Sequence, residues 1–289
     1  MKEFKGKTAF ITGAASGIGL GLARTFLDRG MNVMMCDVEQ AALDKAVHGL
    51  SNYGNKVSSV VADVAVGQAI AEAADKTFKA FGKVHVLCNN AGVSRAGPMD
   101  EISMTDWEWV VGVNLYGTVH GIRTFLPHMK AHGEPSHIVS TSSMSGLTPK
   151  ALAGTYGATK FAIVGLSHVL HDECQGTNVG VSVLCPVWTR TNMPDNGRNR
   201  PARFGGPINV KNDPKLAERN KVYVENSAKG LDPLDLAGLV VRAIEENEFY
   251  IMTQPDRRAS VQERYDEIME SFDHVAERLP KILSRAKAS

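Results

Sequence analysis

Tyr156 and Lys160 stand four residues apart in the segment Tyr156-Gly157-Ala158-Thr159-Lys160. On a helix that spacing puts both side chains on one face. A free phenol titrates near pH 10, too high for a base at neutral pH. An ammonium about 4 Å away, at an effective dielectric of about 20, attracts the phenolate by about 4 kcal/mol. That is enough to bring the phenol toward neutrality before burial opposes it. Such a group suits taking the proton of an alcohol as hydride leaves carbon. A tyrosine–lysine pair also arises by chance in helices, so its surroundings matter. Ser143 precedes Tyr156 by 13 residues, in Ser140-Thr141-Ser142-Ser143. A hydroxyl there can hydrogen-bond a reacting oxygen.

A second constellation lies near the N-terminus, in Thr12-Gly13-Ala14-Ala15-Ser16-Gly17-Ile18-Gly19. Gly13 permits a tight turn, and Gly17 and Gly19 permit close backbone approach to a pyrophosphate and to a sheet. The unpaired N–H groups of the following helix N-terminus favour phosphate. Asp37 follows Gly13 by 24 residues. A carboxylate there can accept the two hydroxyls of an adenosine ribose and repel a 2′-phosphate, and neither Ser16 nor Val38 supplies a cation to offset that repulsion. NAD is therefore expected over NADP. The plainer reading of Asp37 is a helix N-terminal cap.

The elements that must position these residues follow a regular alternation. Strands are predicted over 8–12, 32–36, 56–62, 84–88, 136–140, 180–184 and 249–252, with helices over 19–30, 39–50, 66–81, 105–125, 126–131 and 155–174. Continuous apolar strands separated by helices indicate a parallel sheet covered on both faces, here a doubly wound α/β fold of seven strands in a single domain. The stretch 194–230 is rich in Asn, Arg, Pro and Gly with weak periodicity, and reads as an irregular substrate loop or lid. The segment 260–289 reads as a C-terminal helical extension, on the surface or between subunits.

Composition narrows the field. A net charge of +1 gives no reason to expect nucleic acid or an anionic membrane as partner. No run approaches the roughly 18 apolar residues of a membrane span. The four cysteines have no zinc-like spacing, and no metal site is expected. Cys36, Cys88 and Cys185 lie in apolar, strand-like runs and read as buried free thiols, which suit a cytoplasmic protein. His128 and His132 read as surface residues, His168 and His171 as subunit-interface residues, and Trp107 and Trp109 as helix-packing residues. Arg190, Arg198, Arg200 and Arg203 read as solvated loop charges, with carboxylate binding as the alternative.

Five features in order resemble the short-chain dehydrogenase/reductase family over residues 5–193, and more weakly to 252: TGAASGIG, Asp63-Val64, Asn89-Asn90-Ala91-Gly92, the serine cluster and YGATK. The resemblance implies an NAD-linked oxidoreductase interconverting a secondary alcohol and a ketone. It implies Tyr156 as acid/base, Ser143 orienting substrate, and Lys160 also binding the nicotinamide ribose. Asn114 would hold a water linking Lys160 to solvent. Gly13, Ser16, Gly17, Ile18 and Gly19 would hold the phosphates and Asp63 and Val64 the adenine. Asn90, Ala91 and Gly92 would pass beside the ribose, and Pro186, Thr189 and Thr191 would flank the nicotinamide. The chain departs from the family at Val187, where glycine is common, and the next residue, Trp188, would stand at the pocket mouth. The family also implies a homodimer or homotetramer.

The segments 112–129 and 151–156, with the long loop before Phe249, are similar to bacterial Cα-dehydrogenases, which oxidise the benzylic alcohol of lignin-type β-aryl ethers. Hydroxysteroids and other bulky secondary alcohols stand as rival substrates. An acyl-carrier ketoreductase is a further alternative that Asp37 disfavours. A catalytically silent NAD-binding regulator is the alternative of another class.

Overall fold

The computed structural model describes residues 1–209 and 214–286. Met1–Thr253 form one compact unit and the residues from Gln254 onward a second. In the first, the chain runs β1 (Thr8–Thr12), α1 (Gly17–Asp28), β2 (Asn32–Asp37), α2 (Gln40–His48), β3 (Val57–Val61), α3 (Gly67–Phe81), β4 (Val86–Asn89), α4 (Met104–Val111), α5 (Gly117–Ala131), β5 (Ser136–Thr141), α6 (Gly154–Glu173), β6 (Val179–Cys185), α7 (Pro214–Ala228), α8 (Pro233–Glu246) and β7 (Tyr250–Met252). The strands form one parallel sheet in the order β3-β2-β1-β4-β5-β6-β7. The order reverses between β1 and β4, which opens a crevice at their carboxyl ends.

Alternation along each strand feeds two apolar layers. In β1, Ala9 and Ile11 pack with Leu22 and Phe26 of α1 and with Val240 and Ile244 of α8. Phe10 points to the other face, among Ile70, Phe125, Met129 and Leu170 from α3, α5 and α6. Its ring centroid lies 4.5 Å from that of Phe125. Both faces are thus sealed, as parallel sheets require.

The predicted strands all form, with ends displaced by a residue or two. The helix expected over 105–125 is instead α4 and α5 joined by one π turn, Gly112–Tyr116. The stretch read as irregular contains α7, a helix with few apolar residues, together with short 3-10 turns at Met193–Asn199 and Ala202–Phe204. Residues 210–213 of that stretch lie outside the described residues. The sequence reading passed over α8, although Asp232 caps it by accepting from Leu234 N at 2.8 Å and Pro233 follows at the first turn.

The second unit carries α9 (Arg258–Ala286), a helix of 29 residues. Its Tyr265, Ile268, Phe272, Val275, Leu279 and Ile282 recur at alternating spacings of three and four and are all exposed. Among the described residues no helix is long and apolar enough to cross a membrane.

Candidate active site

The glycine turn after β1 is built to exclude side chains. Gly17 has φ +52°, the left-handed region, and a Cβ on Gly19 would lie 2.1 Å from the Gly13 carbonyl oxygen. Thr12 couples this turn to β4. Its Oγ1 accepts from Asn90 N at 2.9 Å and Ala91 N at 3.0 Å, and Asn90 Nδ2 donates to the Thr12 carbonyl at 3.0 Å. At the end of β2, Asp37 accepts from Ala15 N at 2.9 Å and Glu39 N at 3.1 Å. Its carboxylate is thereby held against the glycine turn. Asp37 is not the N-cap of α2, which is Glu39; it accepts from the backbone of that residue. After β3, Asp63 Oδ1 accepts from Ala65 N at 2.9 Å.

These residues share one cleft with the second constellation. It is open to solvent and runs from Asp37 and Asp63 at one end to Tyr156 and Lys160 at the other. Every sequence-predicted cofactor residue lines it except Gly19, which sits behind the turn. Thr189 and Thr191 both reach the wall despite Val187 after Pro186. Thr191 packs so near Gly17 that a Cβ there would come within 2.8 Å of its methyl. A cradle of bare backbone, a carboxylate at one end and a phenol and an ammonium at the other suit an elongated dinucleotide.

At the reacting end, α6 is stitched to β5. Lys160 Nζ donates to the Thr141 carbonyl at 2.7 Å, and Ser142 Oγ donates to the Lys160 carbonyl at 2.7 Å. Lys160 Nζ stands 5.4 Å from the centroid of the Tyr156 ring. The two groups face the same space, as their spacing predicts. The expected depression of the phenol is reversed, however. Burial is the largest influence on Tyr156 and raises its pKa, while a hydrogen bond with Ser143 pulls the other way. Burial likewise lowers Lys160 to about 8. The Coulomb argument from spacing omitted the desolvation of both groups, which is the largest influence on each. Ser143 Oγ accepts from Ser145 N at 3.1 Å and donates to the Pro186 carbonyl at 3.4 Å.

Asn114 lies in the π turn and is fully buried. Its Oδ1 accepts from Val93 N at 2.8 Å, and its Nδ2 donates to Val93 O and to Thr159 Oγ1, each at 3.0 Å. It therefore clamps the loop after β4 to α6, one residue before Lys160.

Several predicted surface residues prove to be partnered. Arg198 donates to Glu39 through Nε at 3.3 Å and Nη2 at 2.6 Å, and Arg203 Nη2 donates to Asp63 at 2.5 Å. Arg200 pairs with Asp106 at 3.1 Å, and Arg190 with Asp232. Arg200, 13% exposed and paired with the buried Asp106, departs from the solvated-charge reading, whereas Arg190, Arg198 and Arg203 remain 51%, 32% and 46% exposed while pairing with carboxylates of this chain. His168 Nε2 hydrogen-bonds Tyr250 Oη at 2.6 Å, and the rings of His168 and His171 both lie tilted against Phe249, so they pack against the β7 edge within the chain. Trp109 is buried with Val93 and Val110, as predicted for packing. The sequence reading missed Glu39, Asn196 and Tyr223 in the cleft wall. Tyr223 makes an edge-to-face contact with Trp188, centroids 5.1 Å apart, and was hidden in a helix whose polar surface masks its period.

Comparison with known proteins places this geometry. The family model described as short chain dehydrogenase matches residues 7–201, and the chain belongs to that family. It is 36% identical over 272 residues to the C alpha-dehydrogenase of Sphingobium sp. (strain NBRC 103272 / SYK-6), covering 94% of this chain and 88% of that protein. It is 33% identical to the 1-deoxy-11-beta-hydroxypentalenate dehydrogenase of Streptomyces exfoliatus, covering 91% and 88%. A short chain dehydrogenase/reductase from Burkholderia phymatum, solved in complex with NAD, superposes with a TM-score of 0.89 at 38% identity, covering 94% of this chain and 97% of that one. The fold and the family are thus those the sequence implies, and the chain is an oxidoreductase of the alcohol-dehydrogenase type.

Lys160 gives a pH signature. Its folded pKa of about 8 lies below the ordinary 10.5, so the unfolded chain holds the extra proton between those values. Stability should rise with pH through that window and the penalty of burying the charge should be full below it. Lys160→Met should flatten this rise, measured as the denaturation midpoint against pH from about 7.5 to 10.5.

Proposed function

We propose that the chain oxidises a bulky secondary alcohol to a ketone, or reduces the ketone, with NAD as cofactor and Tyr156 as the proton-transferring group. The observation that carries this is the shared cleft, with Asp37 at one end and Tyr156 and Lys160 at the other. When bound, the dinucleotide supplies the hydride acceptor or donor. Ser143 and Tyr156 hold the substrate oxygen through their hydroxyls. In oxidation Tyr156 takes the hydroxyl proton; in reduction it returns one to the ketone oxygen. Lys160, fixed by the Thr141 carbonyl, places its positive charge beside the phenol. Asn114 holds the loop after β4, and so the cleft wall, in register with α6. Asp37 recognises the ribose hydroxyls and disfavours a 2′-phosphate.

The apolar reacting end, with Val93, Trp188 and Tyr223 in its wall, supports an aromatic alcohol. A benzylic, β-aryl ether-type substrate is our reading, supported by the similarity to a C alpha-dehydrogenase. A hydroxylated polycyclic skeleton is the second reading, supported by the hydroxypentalenate enzyme. The test is a panel of benzylic β-ethers, hydroxysteroids and simple secondary alcohols with NAD, followed by absorbance of the reduced cofactor. Preference for the steroid would replace the first reading by the second.

Tyr156→Phe should lower turnover by about 10²–10⁴-fold while NAD binding persists. Because burial raises the phenol, wild-type alcohol oxidation should increase with pH through the neutral-to-alkaline range. Near-normal turnover in the variant removes Tyr156 from the proton step. Asp37→Ala should weaken NAD binding by about tenfold to a hundredfold and narrow the gap to NADP, read by titrating each dinucleotide. A wild type that already prefers NADP overturns the cofactor assignment.

We also propose a homo-oligomer in which α9 pairs with α9 of a second copy. Its exposed apolar positions follow a coiled-coil spacing. In its sequence the first half is net acidic, with Glu263, Asp266, Glu267 and Glu270 against Arg258 and Arg264, and the second slightly basic, with Arg278, Lys281 and Arg285 against Asp273 and Glu277, which favours antiparallel copies. Light scattering should give at least a dimer, and Phe272→Glu should lower the mass; a monomeric wild type refutes the pairing.

A further inference from the structure

Of the four arginines between Arg190 and Arg203, only Arg198 lines the cleft. Arg198 and Asn199 converge on Glu39, with Asn199 Nδ2 donating to Oε1 at 2.6 Å. Arg203 reaches Asp63. Glu39 follows β2 and Asp63 follows the neighbouring β3, so the segment from Met193 to Phe204 lies across the carboxyl ends of these two strands. It does so at the Asp37 end, far along the cleft from Tyr156. The same segment is pinned elsewhere. Asn196 Oδ1 accepts from Ser94 N at 3.0 Å, Ile208 N donates to the Gly197 carbonyl at 3.0 Å, and Arg200 pairs with the buried Asp106.

From this geometry we infer that Met193–Phe204 is an electrostatic clasp over the adenosine half of the cofactor, and that Glu39, Arg198 and Arg203 are positioning residues that retain it. The inference rests on the NAD reading above and assigns it a release mechanism. Three carboxylates, Asp37, Glu39 and Asp63, meet at this end of the cleft. A dinucleotide brings a diphosphate to the glycine turn beside them, and uncompensated acids would repel it. Arg198 and Arg203 offset two of the three charges and leave Asp37, which its backbone donors orient, for the ribose. Because the segment crosses the opening between Glu39 and Asp63, adenosine can leave this end only when at least one of the two contacts parts. Each pair is partly exposed, with side chains between 20% and 46% accessible. Salt and single substitutions should therefore act on it measurably, and by modest factors.

The test reads release of the reduced cofactor by stopped-flow fluorescence in the full chain, and trypsin cleavage after Arg198 without any dinucleotide. Glu39→Gln and Arg198→Gln should each raise the release rate constant about fivefold. The charge-exchanged pair Glu39→Arg with Arg198→Glu should restore release to within about twofold, with thermal melting showing that all variants fold. Raising salt should speed release from the wild type and change the single variants little. Glu39→Gln, which keeps the tryptic site, should be cut faster than wild type. Unchanged release and unchanged cleavage in Glu39→Gln, or an exchanged pair no better than the singles, overturns the clasp. Failure of the wild type to bind reduced NAD at all strikes the proposed function instead, and the cleavage arm still decides whether the clasp exists.

Discussion

A lysine ammonium 2% exposed, with a backbone carbonyl at 2.7 Å, is the constraint around which the reacting end is arranged. A charge taken from water must find partners or lose its proton, and this one does some of each. To bring Lys160 to the Thr141 carbonyl, α6 has to lie close along the end of β5. Ser142 returns the contact by donating to the Lys160 carbonyl. One turn earlier on the same helix, Tyr156 is carried into the crevice without further choice. The phenol's placement is thus a by-product of burying a cation, and its raised pKa is the other side of the same desolvation.

Much of this was legible before any coordinates. Strand runs such as Thr8–Thr12 are short, continuous and apolar, so both type and burial follow from composition. The glycine turn and YGATK are local, and local spacing carries over directly into geometry. What failed was long-range. Arg198 and Glu39 are 159 residues apart, and no pattern in either segment names the other. The phenol's titration was misjudged because spacing reports the distance between two charges and says nothing about the water each has lost. Tyr223 was missed because α7 owes its helix to few apolar residues, leaving little period to detect.

The cleft divides its labour along its length. At the adenosine end the interactions are charged, partly solvated and reversible. At the reacting end they are buried, uncharged or singly charged, and fixed by backbone partners. The difference suits a protein whose chemistry needs one geometry while its cofactor must come and go. At the reacting end, aromatic contacts such as Trp188 with Tyr223 shape the remaining volume for an apolar guest.

The π turn at Gly112–Tyr116 gives one continuous rod two rotational phases. An extra residue in a turn rotates everything beyond it by about 100° relative to an unbroken α-helix. Before the turn, α4 directs Trp109 toward Val93. Beyond it, α5 lays Gly121 so close to Asn89 that a Cβ would fall 2.1 Å from the amide oxygen. An unbroken helix could satisfy one of these alignments and would swing the other away from its partner. The irregular turn is therefore a coupling between two orientations, and the asparagine at its centre is bonded to Val93 on one side and Thr159 on the other.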